Sequence, residues 1–410
     1  MSNSLFAAAA SQLETAGFFV EHQKRVGPKT RREGIEVVAD LLAWAGGEDG
    51  ELIPEVVVEV KEKGSRNSDA VLAQLSRVAA VVGAPRAFLF DGRWQEADPT
   101  FTRFDDASCP RPSISASESA VPNRLLAREI WSIAATERDR GRDVTGIGWL
   151  RSVVRAAQDG TGSLSHMCRG RRGRIALARI LSEAVSDLAV PIRLLDAMVR
   201  MLDLSGPAVV LDPACRLGGA LWSTAMACSG ATLKGWWSHE DGVNLMRDLA
   251  AFCDLHAEFA CAPFEDLLAK NAAVDAIVSV PPFNVRLRER VVLAEGSATV
   301  EFDVALLDHV VGWLKPGGRA VVVVAPRFLF SESAAHVRER LTHDLRVVAV
   351  VELPVGVFTA AKIGSAIIVL EKASPRETLV ARLGADWEAQ LASTGDFFRA
   401  YQLHLNGETL

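Results

Sequence analysis

Apolar positions near the start of the chain change period from helix to strand and back. Residues 5–20 carry apolar side chains, Leu13 and Phe18 among them, at a spacing that predicts a helix with Gly17 near its end. Ile35–Trp44 and Leu52–Glu62 are rich in Val and Leu and predict two strands, parted by the turn-forming run Gly46-Gly47-Glu48-Asp49-Gly50. Val71, Leu75, Val78, Ala79 and Val82 return to the helical period over Ser68–Val82, and Arg86–Phe90 is a strand ended by Asp91-Gly92. The expected module is αββαβ, over residues 1–104. Residues 105–123, DDASCPRPSISASESAVPN, are rich in Ser and Pro and read as a linker.

Residues 124–204 read as mostly helical and include the basic run Arg169-Gly170-Arg171-Arg172-Gly173-Arg174. From Ala208 strands alternate with helices. Ala208–Leu211, Thr232–Trp236, Ala257–Ala260, Ala273–Ser279, Arg319–Ala325, Val347–Glu352 and Ser365–Leu370 are the expected strands. Such alternation predicts an α/β domain over residues 205–372, with a mostly parallel sheet and helices on both faces. The tail, residues 373–410, is expected to form one or two helices covering a sheet edge. No internal repeat is visible.

Composition narrows the function classes. A length of 410 residues suggests two or three domains, and a hydrophobic content of 49% is enough for full cores. Net charge −6 and pI about 5.8 exclude a globally basic surface, so a nucleic-acid partner has to be met by local patches. The six cysteines form no CxxC pair and no metal spacing, which fits reduced thiols in the cytoplasm. The start MSNSLFAAAASQLE lacks the features of a signal peptide. No uncharged apolar run approaches the ~18–20 residues of a membrane helix, so no membrane partner is expected.

Within Val56-Val57-Val58-Glu59-Val60-Lys61, period two puts Glu59 and Lys61 on one face of a strand. Asp40 stands in the preceding apolar strand, and pairing of the two strands brings it beside Glu59. Two carboxylates on adjacent strands can hold Mg²⁺, which makes a bound water more acidic and neutralises a phosphate. Lys61 can orient that water. A salt bridge between Glu59 and Lys61 is the simpler reading of the pair alone. These residues resemble the PD-(D/E)xK nuclease superfamily, above all the N-terminal nuclease domain of type I restriction motor subunits, over about the first hundred residues. Asp40 and Glu59-Val60-Lys61 match the D…ExK motif. Gln74 matches the glutamine of the following helix and Glu14 the acid of the first helix. Ala39 replaces the proline that often precedes the first Asp. The resemblance implies Asp40 and Glu59 as metal ligands, Lys61 beside the attacking water, and Glu14 and Gln74 in support.

A second constellation begins at Val209-Val210-Leu211-Asp212-Pro213-Ala214-Cys215, a buried strand running into Arg216-Leu217-Gly218-Gly219. Strand, glycine turn and helix together can bind a nucleotide-like ligand at the helix N-terminus. With PPF at Pro281–Phe283, LKPGGR, VVELPVGVF and SAIIVLEK, the region of about residues 125–372 resembles the modification subunits of type I restriction systems and related N6-adenine DNA methylases. That resemblance implies a helical region followed by a class I S-adenosylmethionine-dependent methyltransferase fold, which is Rossmann-like. Asp212, Pro213, Arg216, Gly218, Gly219, Trp237 and Glu240 map to its cofactor pocket. Val280, Pro281, Pro282 and Phe283 map to its target-base loop.

Four motifs depart from the family. Arg216 and Leu217 replace glycine and serine of DPACGSGG. Trp237 stands where an acid binds the ribose, unless Glu240 or Asp241 substitutes. The acid of the third motif is displaced or lost within Ala262-Pro263-Phe264-Glu265-Asp266. Val280 replaces the Asn or Asp whose side chain accepts a hydrogen bond from the target amino group; valine has no acceptor. Asn284, beyond the two prolines, cannot replace it. S-adenosylmethionine is therefore a doubtful cofactor.

Several smaller features carry open readings. Arg169–Arg174 is either a phosphate contact or a solvated loop. Trp236-Trp237 fills the vacated pocket, packs a partner or packs the core. Glu301-Phe302-Asp303 packs and caps a helix. His239, His256, His309, His336 and His343 show no metal spacing.

The expectation is a DNA-acting protein of restriction-modification or antiphage type. It pairs a Mg²⁺-dependent nuclease-like domain with a pseudo-methyltransferase that binds DNA or a partner. The chain ends about forty residues after the last strand, too few for a target-recognition domain, so a specificity or other protein subunit is an expected partner. The alternatives are an active N6-adenine methyltransferase and a non-catalytic DNA-binding regulatory or assembly subunit.

Overall fold

Gly17 stops the first helix earlier than the apolar spacing suggests. At φ +104° it closes α1 (Asn3–Ala16), with Gly17 N–H donating to the Glu14 carbonyl and Phe18 N–H to the Leu13 carbonyl. This is the Schellman geometry, and its apolar partners Leu13 and Phe18 share one core. The chain then enters a strand where the sequence reading continues the helix. The computed structural model describes residues 3–26, 37–46, 52–62, 68–113, 123–144, 146–159, 164, 167–168, 170–184, 189–358 and 364–407. The turn residues 47–50, linker residues 114–122 and Arg169 lie outside them. Two compact units result, Met1–Leu126 and Ala127–Leu410.

The first unit is a six-stranded sheet in simple order. Its strands are β1 (Phe19–Val26), β2 (Val37–Gly46), β3 (Leu52–Val60), β4 (Arg86–Phe90), β5 (Trp94–Ala97) and β6 (Phe104–Ala107). Only β3 and β4 run parallel, and α2 (Ser68–Val82) connects them. One sheet face, with Leu41, Ala43, Val56, Val58 and Val60, packs in a common core with Ala9 and Leu13 of α1. Period two sends Leu42, Val57 and Glu59 to the other face.

The expected αββαβ order is therefore αβββαβββ. β1 (FVEHQKRV) escapes the sequence reading because its polar residues hide the alternation; Glu21 is buried and accepts a hydrogen bond from the Trp44 indole at 3.0 Å. The ladder runs through Ala107, three residues past the boundary read at 104.

In the second unit α3 (Asn123–Asp139), α4 (Leu150–Gln158), α5 (Arg171–Glu183) and α6 (Ile192–Met201) precede an eight-stranded sheet. Its strands are β7 (Val209–Asp212), β8 (Thr232–Trp237), β9 (Ala257–Cys261), β10 (Val274–Ser279), β13 (Leu314–Val324), β14 (Arg346–Leu353), β15 (Ser365–Glu371) and β16 (Leu379–Arg382). β11 (Arg286–Val292) and β12 (Ala298–Glu301) form a separate antiparallel ribbon. The sheet order is β16-β14-β15-β13-β10-β7-β8-β9, with β15 antiparallel to both its neighbours and the other pairings parallel.

The chain winds outward from β7 to β9 and then returns to β10 on the far side of β7. The strand order therefore reverses between β7 and β10, and the crevice beyond their carboxyl ends is where such sheets bind ligands. The tail contributes a strand as well as helices, because β16 pairs with β14 and becomes the sheet edge. α7 (Gly219–Ala227) follows β7 and is buried nearly all round, as its apolar sequence requires.

The basic run is not a free phosphate-binding loop. Arg171 and Arg174 open α5 and donate to the carbonyls of Ser229 and Phe252, each at 2.9 Å. Phe252 is the last residue of α8 (Glu240–Phe252), where free carbonyls attract a cation.

Candidate functional sites

In the first unit the β2–β3 register pairs Leu41 with Val58, so the next position sets Asp40 opposite Glu59. Both carboxylates are buried, at 6% and 2% exposure. Asp40 Oδ2 accepts the Val60 N–H at 2.9 Å. Glu59 Oε1 accepts from Lys61 Nζ at 2.5 Å, and Oε2 from Gln74 Nε2 at 3.0 Å. Gln74, on α2, also reaches the Val38 carbonyl at 3.4 Å, which ties that helix to two strands. Lys61 keeps its strand register through its N–H on the Phe90 carbonyl at 3.0 Å.

Four of the five residues read from the sequence thus converge. The fifth, Glu14, is exposed in the last turn of α1 and makes no hydrogen bond to the other four among the described residues. No group of three or more His, Cys, Asp or Glu suited to a metal occurs among the described residues, so any cation here rests on the carboxylate pair. One or two carboxylates suffice for Mg²⁺, which keeps much of its water.

Burial pushes the Glu59 carboxyl above its ordinary value, and the Asp40 charge adds to that, against the lowering by Lys61 and Gln74. A carboxyl raised in the folded state binds its proton more tightly there than in the unfolded chain. Its charged form therefore costs stability above the folded pKa, and this cost vanishes below the ordinary value of 4.5. Glu59→Gln is expected to raise the melting temperature at pH 7.5, with the gain shrinking as pH falls toward 4.5. A gain that grows on acidification would contradict this sign.

In the second unit Asp212 ends β7 and Val280 follows β10, so both stand at the strand-order reversal. Asp212 Oδ1 accepts from Ser279 Oγ at 2.7 Å and from the Ala214 N–H at 3.1 Å. Burial raises its pKa to about 6, despite those bonds and the nearby Arg216 guanidinium. Arg216 holds φ +50°, a left-handed value that glycine adopts freely and arginine does not. Gly218, at φ +80°, starts α7, and a Cβ there would lie 2.8 Å from the Trp222 indole, whose N–H donates to the Leu217 carbonyl at 2.7 Å. Gly218→Ala is expected to cost about 2–3 kcal/mol in denaturant unfolding through strain and this clash; an unchanged midpoint would mean that the turn relaxes.

A small cavity lies against the turn that follows β7. Asp212, Arg216, Leu217, Val190, Leu195 and Val280 are among the residues around this cavity of about 20 Å³, room for little more than one water. Ligand pockets for small molecules run to roughly 300–1,000 Å³. Val280 is buried at 4% exposure. A larger hollow of about 440 Å³ lies elsewhere, at the amino end of β10, where Lys234 and Glu258 pair at 3.0 Å.

Of the remaining motif residues, Pro213 is buried in the turn, and Trp237 ends β8 with its ring edge-on to Phe264 at 5.7 Å. Glu240 is exposed in the first turn of α8, whose N-terminal Gly242 N–H is accepted by His239 Nδ1 at 3.2 Å. Neither Trp237 nor Glu240 lines the small cavity. Trp236 packs edge-on against Trp313 in the core. Pro281 is buried, Pro282 half-buried, and Phe283 lies edge-on to Phe358 at 5.2 Å. Glu301 and Asp303 both pair with Arg327, at 3.4 and 3.7 Å, and Glu301, the N-cap residue of helix Phe302–Trp313, makes no side-chain cap. Sequence reasoning missed Ser279, the partner of Asp212; its place immediately before the Val280 loop was the available signal.

Comparison with known proteins agrees with this larger unit. Residues 252–389 match the family model described as N-6 DNA Methylase, a stretch that includes the Val280–Phe283 loop. A class I S-adenosylmethionine-dependent methyltransferase from Listeria monocytogenes superposes with a TM-score of 0.53 at 14% identity, over 69% of this chain and 98% of its own. The fold of the second unit is thus of the class I methyltransferase type. A modification subunit of a type I restriction enzyme from Vibrio vulnificus YJ016 gives a TM-score of 0.46 at 21% identity, over 53% of each chain, so this chain spans about half of that one. The type IIG restriction endonuclease BpuSI gives 0.44 at 14% identity, over 98% of this chain and 60% of its own. No described helix is long and apolar enough to cross a membrane.

Proposed function

We propose that this is a DNA-acting protein of restriction-modification or antiphage type, in which a Mg²⁺-dependent nuclease-like unit is joined to a methyltransferase-like unit that binds DNA or a partner subunit without methylating. The observation that carries the nuclease reading is the convergence of Asp40, Lys61 and Gln74 on the buried carboxylate of Glu59. Asp40 and Glu59 would hold Mg²⁺, which when bound supplies a more acidic water and neutralises phosphate charge. The donor set fits, because the two carboxylates repel each other and a cation relieves that repulsion. Gln74 fixes the Glu59 carboxylate, and Lys61 Nζ is placed to orient a water beside it. Phosphodiester hydrolysis is the reaction class. Its test is nicking of supercoiled plasmid DNA in Mg²⁺ against chelator, by wild type and site variants.

The reading of the second unit rests on Arg216 and Leu217 in the turn after β7 and on Val280. Without an acceptor at position 280, a target amino group lacks the partner that would aim its lone pair. A second reading, an active N6-adenine methyltransferase, draws on the family match over residues 252–389. Saturable S-adenosylmethionine binding would favour it. Inert units in a regulatory or assembly subunit are the remaining alternative; DNA affinity that needs no metal, without cleavage, would favour that.

A further inference from the structure

The ribbon that follows the Val280–Phe283 loop was absent from the sequence reading, and its outer face is cationic. In β11 the residues Leu287 and Val291 turn inward, Leu287 belonging to the core of the unit and Val291 packing against it. Arg286, Arg288, Arg290 and Val292 are all exposed, and the pairing with β12 shifts register between Arg286 and Val291. Among the described residues no side-chain hydrogen bond or ion pair within 4 Å engages these three guanidiniums, though the Arg288 charge helps hold the Glu265 carboxyl below its ordinary value. By contrast Arg171, Arg174, Arg179, Arg319, Arg338 and Arg340 of the same unit are each committed to a carbonyl or a carboxylate. The ribbon's own backbone is anchored, since the Arg288 and Glu289 N–H groups donate to Glu265 Oε1. Glu289, the acid within the row, is exposed as well, so the strip carries three guanidiniums and one carboxylate.

We propose that the outer face of β11 is a phosphate-contacting strip that positions duplex DNA beside the Val280–Phe283 loop. This inference rests on the DNA-acting reading above and names where the second unit meets its nucleic acid. Alternate residues of a strand stand roughly 6.6 Å apart, far enough for each arginine to take a different phosphate. Guanidinium forks match phosphate oxygens in pairs, and a two-stranded ribbon is narrow enough to enter a DNA groove. A protein partner would call for an apolar or aromatic centre, whereas Val292 is the single apolar member of this row.

The test is fluorescence anisotropy of the full chain with a labelled duplex of about 30 base pairs, between about 50 and 200 mM salt. The triple variant Arg286→Ala, Arg288→Ala, Arg290→Ala is expected to lose at least about tenfold in affinity and to flatten the log–log salt slope by about two to three. The triple lysine variant is expected to keep most of the slope. Circular dichroism and melting should match wild type, since the replaced side chains are exposed. Wild-type binding with an unchanged slope in the alanine variant overturns the strip and leaves the DNA-acting reading standing. A wild type without duplex affinity overturns both. Polyglutamate displacing the duplex from wild type alone, and binding as tightly as DNA at equal charge, assigns the row to an acidic protein and overturns the proposal.

Discussion

Lys61→Ala is expected to reduce Mg²⁺-dependent DNA nicking by at least about a hundredfold, the scale of a positioned proton-transfer or water-orienting group. The fold should survive, because alanine keeps the Lys61 N–H bond to the Phe90 carbonyl and the side chain is partly exposed. Asp40→Asn should lose as much activity. Asparagine retains an oxygen acceptor for the Val60 N–H but removes the charge a divalent cation needs. The measurement is conversion of supercoiled to open-circular plasmid with protein of matched melting behaviour. Nicking that continues equally in both variants would sink the assignment of this site. Glu59→Gln belongs in the same series, since it should be inactive yet more stable at neutral pH, the sign expected where a buried charge is kept for chemistry at a cost in stability.

The second large effect concerns the crevice of the methyltransferase-like unit. Calorimetric titration with S-adenosylmethionine is expected to show no saturation up to about 1 mM, a standard free energy weaker than about −4 kcal/mol. The physical reason is volume. The cavity against the turn, bordered by Arg216, Leu217 and Val280, is about 20 Å³, too small for the amino-acid arm of that ligand. Arg216→Gly is the informative companion. It removes the side chain from the cavity wall and relieves the φ +50° strain, and saturable binding gained in that variant alone would identify Arg216 as the block. Micromolar binding by wild type would mean that Arg216 and Trp237 move aside, and would revive the active methyltransferase.

Local patterns made much of this molecule legible. The Ser68–Val82 helix and the Arg86–Phe90 strand emerged with the bounds their periodicity predicts. Each of the seven strands expected after Ala208 lies within a few residues of its predicted place. Strongly apolar segments flanked by turn residues allow few alternatives. Segments carrying charge did not read so well. β1, β11 and β16 each mix charged and apolar residues, and their strand form depends on a neighbour to pair with.

The sequence by itself determined the chemical inventory: an acid and a lysine two apart on an apolar strand, an Asp in the strand before it, and a valine before two prolines. Covalent order suffices for that, because period two and the fixed φ of proline are local properties. Tertiary structure decided what the inventory is used for. It set Asp40 opposite Glu59 through the β2–β3 register and brought Gln74 in from α2. It left Glu14 exposed, spent Arg171 and Arg174 on carbonyls, and left a cavity of about one water's volume against the Arg216 turn. Those outcomes depend on side chains far apart in sequence competing for the same buried space, and no local pattern records that competition.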